Sequence, residues 1–433
     1  MKTFNQPTPS ACKKVVIAGN SNISLGAYRS LEKRFRRQIS NGRVVITVIT
    51  ESPFHTCYGL AQECVTGEID YQNLLVPMTE MFPHAQIIHG KVTHKNSSLR
   101  KLTVEMTNGN STLIEYDQFL EDQSCFSKSS CSKSSNEIYI NSLEDLVDLR
   151  NRLTSFVNSA SESQEKILAS RHLRVAVAGK GLAGIELANS IAACMKQLCV
   201  EYGMPQLKPT VYLVLHNSEL YEAAAFNSSL EGFIKEQLLD AGVRVSTGKQ
   251  VIRVNTDGAV CNDGSFINCK LVVRTDQDAA NGLAGLEGER PDLFGRTNEN
   301  DCWKANHYFP GSLPEPASYL AVLRQGNWLG SNIARAMLGE TLKEIKTGEG
   351  FKAGSMKRAE GFFRLGMLKL KGSLAYFLRT WLILRTLPLG NRRLCIRNMT
   401  DAFFLKQQTL EISEHYTQKL KGEFSFKSFA PVY

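Results

Sequence analysis

Val175-Ala176-Val177-Ala178-Gly179-Lys180-Gly181-Leu182-Ala183-Gly184-Ile185-Glu186 is the stretch on which the fold turns. It opens as a short apolar strand, passes glycines at 179, 181 and 184, and continues as a helix through Leu187-Ala188-Asn189-Ser190-Ile191. Each glycine has a mechanical task in a dinucleotide-binding turn. Gly179 permits the tight turn, Gly181 lets backbone approach a pyrophosphate, and Gly184 lets the helix pack on the strand. Exposed amides at the start of the helix then attract phosphate charge. The competing reading is a tight strand-to-helix turn with no ligand.

A second unit of the same kind stands upstream. Lys13-Lys14-Val15-Val16-Ile17-Ala18-Gly19 reads as a buried strand, Leu25 to Arg37 as a helix, and Val44 to Ile49 as a strand ending at Thr50-Glu51. Glu51 is an acid where a ribose hydroxyl could be bound. The turn itself reads Gly19-Asn20-Ser21-Asn22-Ile23-Ser24. Ser21 adds a side chain where backbone should touch phosphate, and Ser24 adds one where helix and strand should meet. The fold survives such small residues, but the grip on a pyrophosphate is weakened. After the second turn the strand Thr210 to Leu215 ends in His216-Asn217, without the ribose-binding acid, so NADPH stays open beside NADH.

The 433 residues are enough for two or three domains, each with its own core. A formal charge of +9 suits an anionic partner such as a nucleotide or an acidic lipid surface. Nucleic acid is disfavoured because no recognised binding motif accompanies the charge. The eleven cysteines form no CxxC pair and no metal-spaced His/Cys cluster, so no metal site is expected, and Cys57 and Cys64 read as buried thiols. The start of the chain has no apolar core of a secretory signal, so a cytoplasmic location is the expectation. No apolar run reaches the roughly 20 residues that a spanning helix needs.

Several runs together resemble the type II NADH:quinone oxidoreductases. They are Ser52-Pro53-Phe54-His55 through Val65-Thr66-Gly67-Glu68, the Gly179–Ala188 turn, Gln325-Gly326-Asn327-Trp328-Leu329-Gly330-Ser331-Asn332-Ile333, and Gly372-Ser373-Leu374-Ala375-Tyr376-Phe377-Leu378. The resemblance covers roughly residues 13 to 405. It implies a monotopic flavoprotein with FAD in the first nucleotide unit and NADH in the second, passing a hydride through the flavin to a quinone at a membrane surface. It also implies a role for Glu186, at the place where the family keeps a glutamate near nicotinamide and flavin, and for Gln325 beside the quinone. The bland role of Glu186 is a helix N-terminal acid favoured by the dipole.

The departures concentrate on the flavin. Where the family has Ala-Thr-Gly after a Tyr-Asp pair, Tyr116-Asp117 leads to Glu121-Asp122-Gln123. Val272-Val273-Arg274-Thr275 replaces a second Ala-Gly type of ending, and Gly295-Arg296-Thr297-Asn298 stands where a late Gly-Asp is expected. Of the family's glutamines near the quinone only Gln325 is kept, among Leu320, Arg324 and Gln325. Gly19, Ser21, Ser24 and Glu51 are therefore the members of a degenerate FAD site.

The expected architecture is α/β: two Rossmann-like, FAD/NAD(P)-binding domains plus a C-terminal amphipathic helical segment. Residues 1–160 form the first part of the FAD-type domain, 161–277 the NAD(P)-binding domain and 278–350 the return to the first. Residues 351–433 form a basic segment for membrane association, since Lys352 to Arg397 interleaves many cations with Phe362, Phe363 and Leu374 to Leu384. Ser142 to Asn158 reads as a helix, Ser159 to Ser170 as a polar bridge, and Ser124 to Ser135 as a low-complexity loop. Three functions stay open. One is a membrane-surface relative, peripheral on the cytoplasmic face of a membrane, that binds NAD(P)H over an eroded flavin site and is weak or silent in catalysis. The others are a working FAD-dependent NAD(P)H:quinone oxidoreductase and a basic scaffold without a ligand. Oligomeric state is also open, a homodimer included.

Overall fold

The computed structural model describes residues 12–122, 135–140, 142–179, 181–216, 228–275, 292–297, 301–305, 319–344, 352–357 and 359–404. The expected loop at 124–135 falls outside these residues except at its end.

The first sheet is entered through β1 (Lys13–Ala18), α1 (Asn22–Ser40) and β2 (Val44–Thr50). Short elements follow: β3 (Phe54–Thr56), α2 (Ala61–Val65), β4 (Leu75–Pro77) and α3 (Met78–Met81). Then come β5 (Gln86–Asn96), β6 (Lys101–Met106), β7 (Ser111–Glu115) and β8 (Gln118–Asp122). The next portion holds β9 (Glu137–Tyr139), α4 (Leu143–Glu162), α5 (Lys166–His172), β10 (Arg174–Gly179), α6 (Gly181–Glu201), β11 (Thr210–Leu215) and α7 (Ser228–Ala241). It continues with β12 (Val243–Ser246), β13 (Val251–Asn255), β14 (Gly258–Cys261), β15 (Phe266–Ile267) and β16 (Leu271–Arg274). The chain then returns through β17 (Cys302–Ala305) and α8 (Tyr319–Leu338). Last are β18 (Lys352–Lys357), β19 (Glu360–Leu365), β20 (Leu368–Gly372), α9 (Ser373–Leu384) and α10 (Leu389–Phe404).

The two Rossmann-like sheets expected from the sequence are present. The first has the order β17-β8-β1-β2-β5-β6-β7, parallel as far as β5 and antiparallel beyond it. The second has the order β12-β11-β10-β16-β9 and is parallel throughout. Strands buried on both faces read as unbroken apolar runs, as Val15-Val16-Ile17-Ala18 and Val175-Ala176-Val177-Ala178 do. In each sheet the glycine-turn strand lies between neighbours reached in opposite directions. This is the switch point at which open α/β sheets bind ligands. Pairing of β9 with β16 carries the chain onto the second sheet before residue 161.

Helix α8 returns to pack along α1 at backbone contact. A Cβ on Gly26 would lie 2.3 Å from the Leu323 carbonyl oxygen, and one on Gly326 2.2 Å from that of Ile23. One on Gly330 would lie 2.3 Å from that of Ala27. These glycines let the two helices approach as no larger residue would.

Two expectations need correction. The polar bridge at 159–170 is largely helical: α4 runs to Glu162, held at its start by a Ser142–Asp145 capping box, and α5 begins at Lys166. The segment after 351 does not begin as an amphipathic helix but as the antiparallel sheet β18-β19-β20. Glycines at 354, 361, 366 and 372 recur too densely for a helix, each costing about 1 kcal/mol there. Gly366 turns the β19–β20 hairpin at a φ of 57°. Phe362 and Phe363, expected on a membrane-facing helix, are buried in β19.

Candidate functional site

At the first turn, Gly19 leaves β1 with a φ of 135°, a conformation suited to glycine. Ser21 caps α1, its Oγ accepting from the Ile23 N–H at 3.0 Å. The same hydroxyl hydrogen-bonds Asp122 Oδ2, and Ser24 Oγ donates to that oxygen at 2.7 Å. Asp122, 1 % exposed, ends β8, whose Glu121 is in register with Ala18 of β1. Both serines that replace glycines thus point at a carboxylate in the switch-point crevice. Beneath the turn, His55 Nδ1 donates to the Asn20 carbonyl at 2.7 Å, and Asn20 Nδ2 donates to the Phe54 carbonyl at 3.0 Å. Complete burial pushes the His55 imidazole down to about 4, so the ring is neutral and acts as a brace. Glu51 lies exposed just past β2. The residues at this turn do not fit a tightly held dinucleotide: hydroxyls occupy the positions of close backbone approach, and a carboxylate faces the place of a phosphate.

The second turn is built differently. A Cβ on Gly179 would lie 2.4 Å from Thr275 Oγ1 and 3.0 Å from Gly184 Cα, and one on Gly184 3.3 Å from Gly179 Cα. The strand and helix therefore meet glycine to glycine, as the spacing requires. Gly181 opens α6, which has no acid in its first turn. Thr275 Oγ1 is buried beside the turn without a hydrogen-bond partner. These features fit a dinucleotide: strand and helix meet glycine to glycine, the first turn of the helix carries no acid, and the Thr275 hydroxyl is left to donate.

Glu186 lies further along α6, where three parts of the chain meet. Its Oε1 accepts from the Ser355 N–H of β18 at 2.7 Å and stands 3.6 Å from Arg379 Nη2 of α9. Gln62 Nε2 of α2 donates to Oε2 at 3.4 Å. Arg379 in turn pairs with Glu63 at 2.8 Å and donates to the Gly59 carbonyl at 2.8 Å. All three charged residues are buried, and Glu63 Oε2 has no partner. Burial lifts the Glu186 carboxyl to about 7 against the opposing pull of Arg379 and the Ser355 amide. Beside them is a cavity of about 50 Å³ lined by Tyr58, Gln62, Glu186, Tyr319, Leu320 and Arg379. It has room for water, far below the roughly 300 Å³ at which small-molecule pockets begin. Gln325 is buried on α8 and does not line this cavity. Cys57 and Cys64 are buried and unlinked, and burial pushes both thiols up, Cys57 to about 11.

Glu63 and Arg379 are not among the site residues expected from the sequence, where Arg379 stands only as one of the cations interleaved with Leu374 to Leu384. The available signal was a lone acid in Ala61-Gln62-Glu63-Cys64-Val65 and a lone base in the apolar α9. Each charge is costly to bury unless it finds the other. The outward side of α9 carries Leu374, Phe377 and Trp381, each more than half exposed. Met367, Leu368 and Leu389 extend this apolar surface, and exposed Lys369, Lys371, Arg385 and Arg393 lie among these elements. Among the described residues, no helix is long and apolar enough to cross a membrane.

Comparison with known proteins gives a consistent neighbourhood. Residues 139–276 match the family model described as pyridine nucleotide-disulphide oxidoreductase. A type II NADH:quinone oxidoreductase of Staphylococcus saprophyticus is 22% identical over 254 residues, 57% of this chain and 60% of the relative, so the match spans about three fifths of that protein. The Staphylococcus aureus protein of the same name is 20% identical over 357 residues, 77% of this chain and 85% of the relative. Among solved structures, NDH2 from Plasmodium falciparum in complex with NADH superposes with a TM-score of 0.72 at 10% identity, covering 92% of this chain and 99% of that one. The sulfide:quinone oxidoreductase of Aquifex aeolicus gives 0.62 at 12% identity over 92% and 96%.

Proposed function

We propose that this chain, a pyridine nucleotide-disulphide oxidoreductase of the type II NADH:quinone oxidoreductase-like kind, binds a nicotinamide dinucleotide at its second turn and holds no flavin at its first. The contrast between the turns carries the reading. Gly179 and Gly184 touch across the second, whereas Ser21 and Ser24 fill the first and turn inward to Asp122. NAD(P)H would lie along Gly179, Gly181 and Gly184, with the Thr275 hydroxyl donating to it and the α6 amides facing its pyrophosphate. A bound dihydronicotinamide supplies a hydride. Glu186, held by Ser355 and Arg379, follows Gly184 by two residues along α6, and burial raises its carboxyl to about 7, so that it titrates around neutral pH.

With the flavin seat closed, the protein acts as a nucleotide-binding partner at a membrane and is weak or silent as a quinone reductase. The apolar side of α9 and the β19–β20 hairpin, edged with lysines and arginines, suits attachment to an acidic membrane surface. The test is an absorption spectrum of the purified protein together with an NAD(P)H fluorescence titration. The expected result is no flavin absorbance, no uptake of added FAD, and a fluorescence change on adding NAD(P)H. A yellow protein that reduces a soluble quinone with NADH would establish the second reading, a working FAD-dependent dehydrogenase.

A further inference from the structure

The first turn still has the physics of an anion site. Helix α1 begins at the carboxyl edge of a parallel sheet, at the switch point between β1 and its two neighbours. Its first turn has no acidic residue, so its amides and the positive end of its dipole attract negative charge from elsewhere. Asp122 supplies that charge from the end of the adjacent strand, 1 % exposed, and draws hydrogen bonds from Ser21 and Ser24 onto one oxygen. The neighbouring Glu121 faces Lys304 of β17 at 3.8 Å and is neutralised separately. A carboxylate buried at this depth costs several kcal/mol unless hydrogen bonds and opposite charge surround it. Here the two hydroxyls contribute hydrogen bonds, and the helix start that carries them contributes positive potential.

We infer that Asp122 is a built-in replacement for a dinucleotide's pyrophosphate. The serines are its ligands, and the first Rossmann unit folds around its own anion and needs no cofactor. The inference rests on the proposal that the first turn holds no flavin, and adds the residue responsible and its structural role. Two consequences follow. Removing the carboxylate destabilises the fold, and the emptied seat then accepts an external phosphate group.

The test uses the full chain carrying Gly181→Asp, so that the second turn contributes no anion binding. Thermal melting is followed for this protein and for versions that add Asp122→Asn or Asp122→Ala, each with and without inorganic pyrophosphate or ADP. Both added substitutions should lower Tm. Pyrophosphate and ADP should raise the Tm of the Ala version by about 3 °C, the shift expected for roughly 1 kcal/mol of binding, and leave the Asp122 protein unchanged. By calorimetry the Ala version should bind ADP at least tenfold more tightly than the Asp122 protein. Should the Ala version fail to fold, the Asn version, equal in size, carries the same comparison.

An unchanged Tm in the Asn and Ala versions would overturn the structural role. So would ligand shifts that are equal, or equally absent, with and without the carboxylate. Stoichiometric FAD in the natural protein would instead overturn the proposal beneath it. A natural protein without FAD whose Asp122 variants gain no anion binding overturns this inference alone.

Discussion

The two strand-to-helix turns have one geometry and opposite fillings. At the second, Gly179 and Gly184 are so close that an added Cβ would sit 3.0 Å from the facing Cα, and the helix start is left without an acid. At the first, Gly19 keeps the leading position, but Ser21 and Ser24 stand where the second turn has Gly181 and Gly184, and an acid from β8 meets their hydroxyls. Each turn also has a buried carboxylate within reach of its helix, but the two are stabilised differently. Asp122 sits at the mouth of α1, held by serines. Glu186 sits along α6 and is held by a guanidinium and an amide from the C-terminal elements. On the proposed reading, a Rossmann turn is not a ligand site by topology alone. What matters is whether its own side chains leave the helix amides to a visitor.

The comparison breaks hardest at the junction. Arg379→Leu leaves Glu63 and Glu186 buried without their cation, and the expected loss is about 3–5 kcal/mol in urea unfolding. A loss below 1 kcal/mol would show the cluster to be incidental.

The pH dependence sharpens the contrast between the carboxylates. The Glu186 carboxyl is raised from 4.5 to about 7, so the stability it contributes is full below about pH 4.5 and is lost as pH rises through 7. Compared with Glu186→Gln, the natural protein should lose on the order of 3 kcal/mol between pH 5 and 8.5. Parallel urea midpoints for the two across that range would contradict a neutral buried acid.

Smaller effects separate the turns themselves. Ser24→Ala, which removes only the hydroxyl, should cost about 1.5–3 kcal/mol because it takes a hydrogen bond from a buried carboxylate. Gly179→Ala should cost about 1–3 kcal/mol by overpacking against Thr275 and Gly184, and should weaken NAD(P)H binding at least tenfold in a fluorescence titration. The smallest effect on stability is expected from changing Leu374, Phe377 and Trp381 together to serine, within about 0.5 kcal/mol per site. On the proposed membrane attachment the same change should abolish flotation with acidic vesicles, and retained flotation, or none by the natural protein, would overturn the role given to this surface.

Much of this was legible along the chain. The apolar runs before Gly19 and Gly179, and the helices after them, identify two nucleotide-type sheets because strand and helix periodicities are local. The replacement of glycines by Ser21 and Ser24 is equally visible. The partner of those serines was not. Asp122 is about a hundred positions from them, and beside Tyr116-Asp117 it read only as a departure from a family motif. The C-terminal segment misled for a related reason. Its cations and apolar residues were counted as one surface, yet Arg364 and Arg379 point inward while Met367 and Trp381 point out.

The sequence by itself determined the two-sheet plan, the intact second turn and the altered first one, since these follow from backbone allowance and hydrophobic period within short windows. Only the tertiary structure decided where the charges go: Asp122 against the start of α1, and Arg379 between Glu63 and Glu186. Burying a charge depends on groups brought together from distant parts of the chain, and no local pattern encodes that pairing.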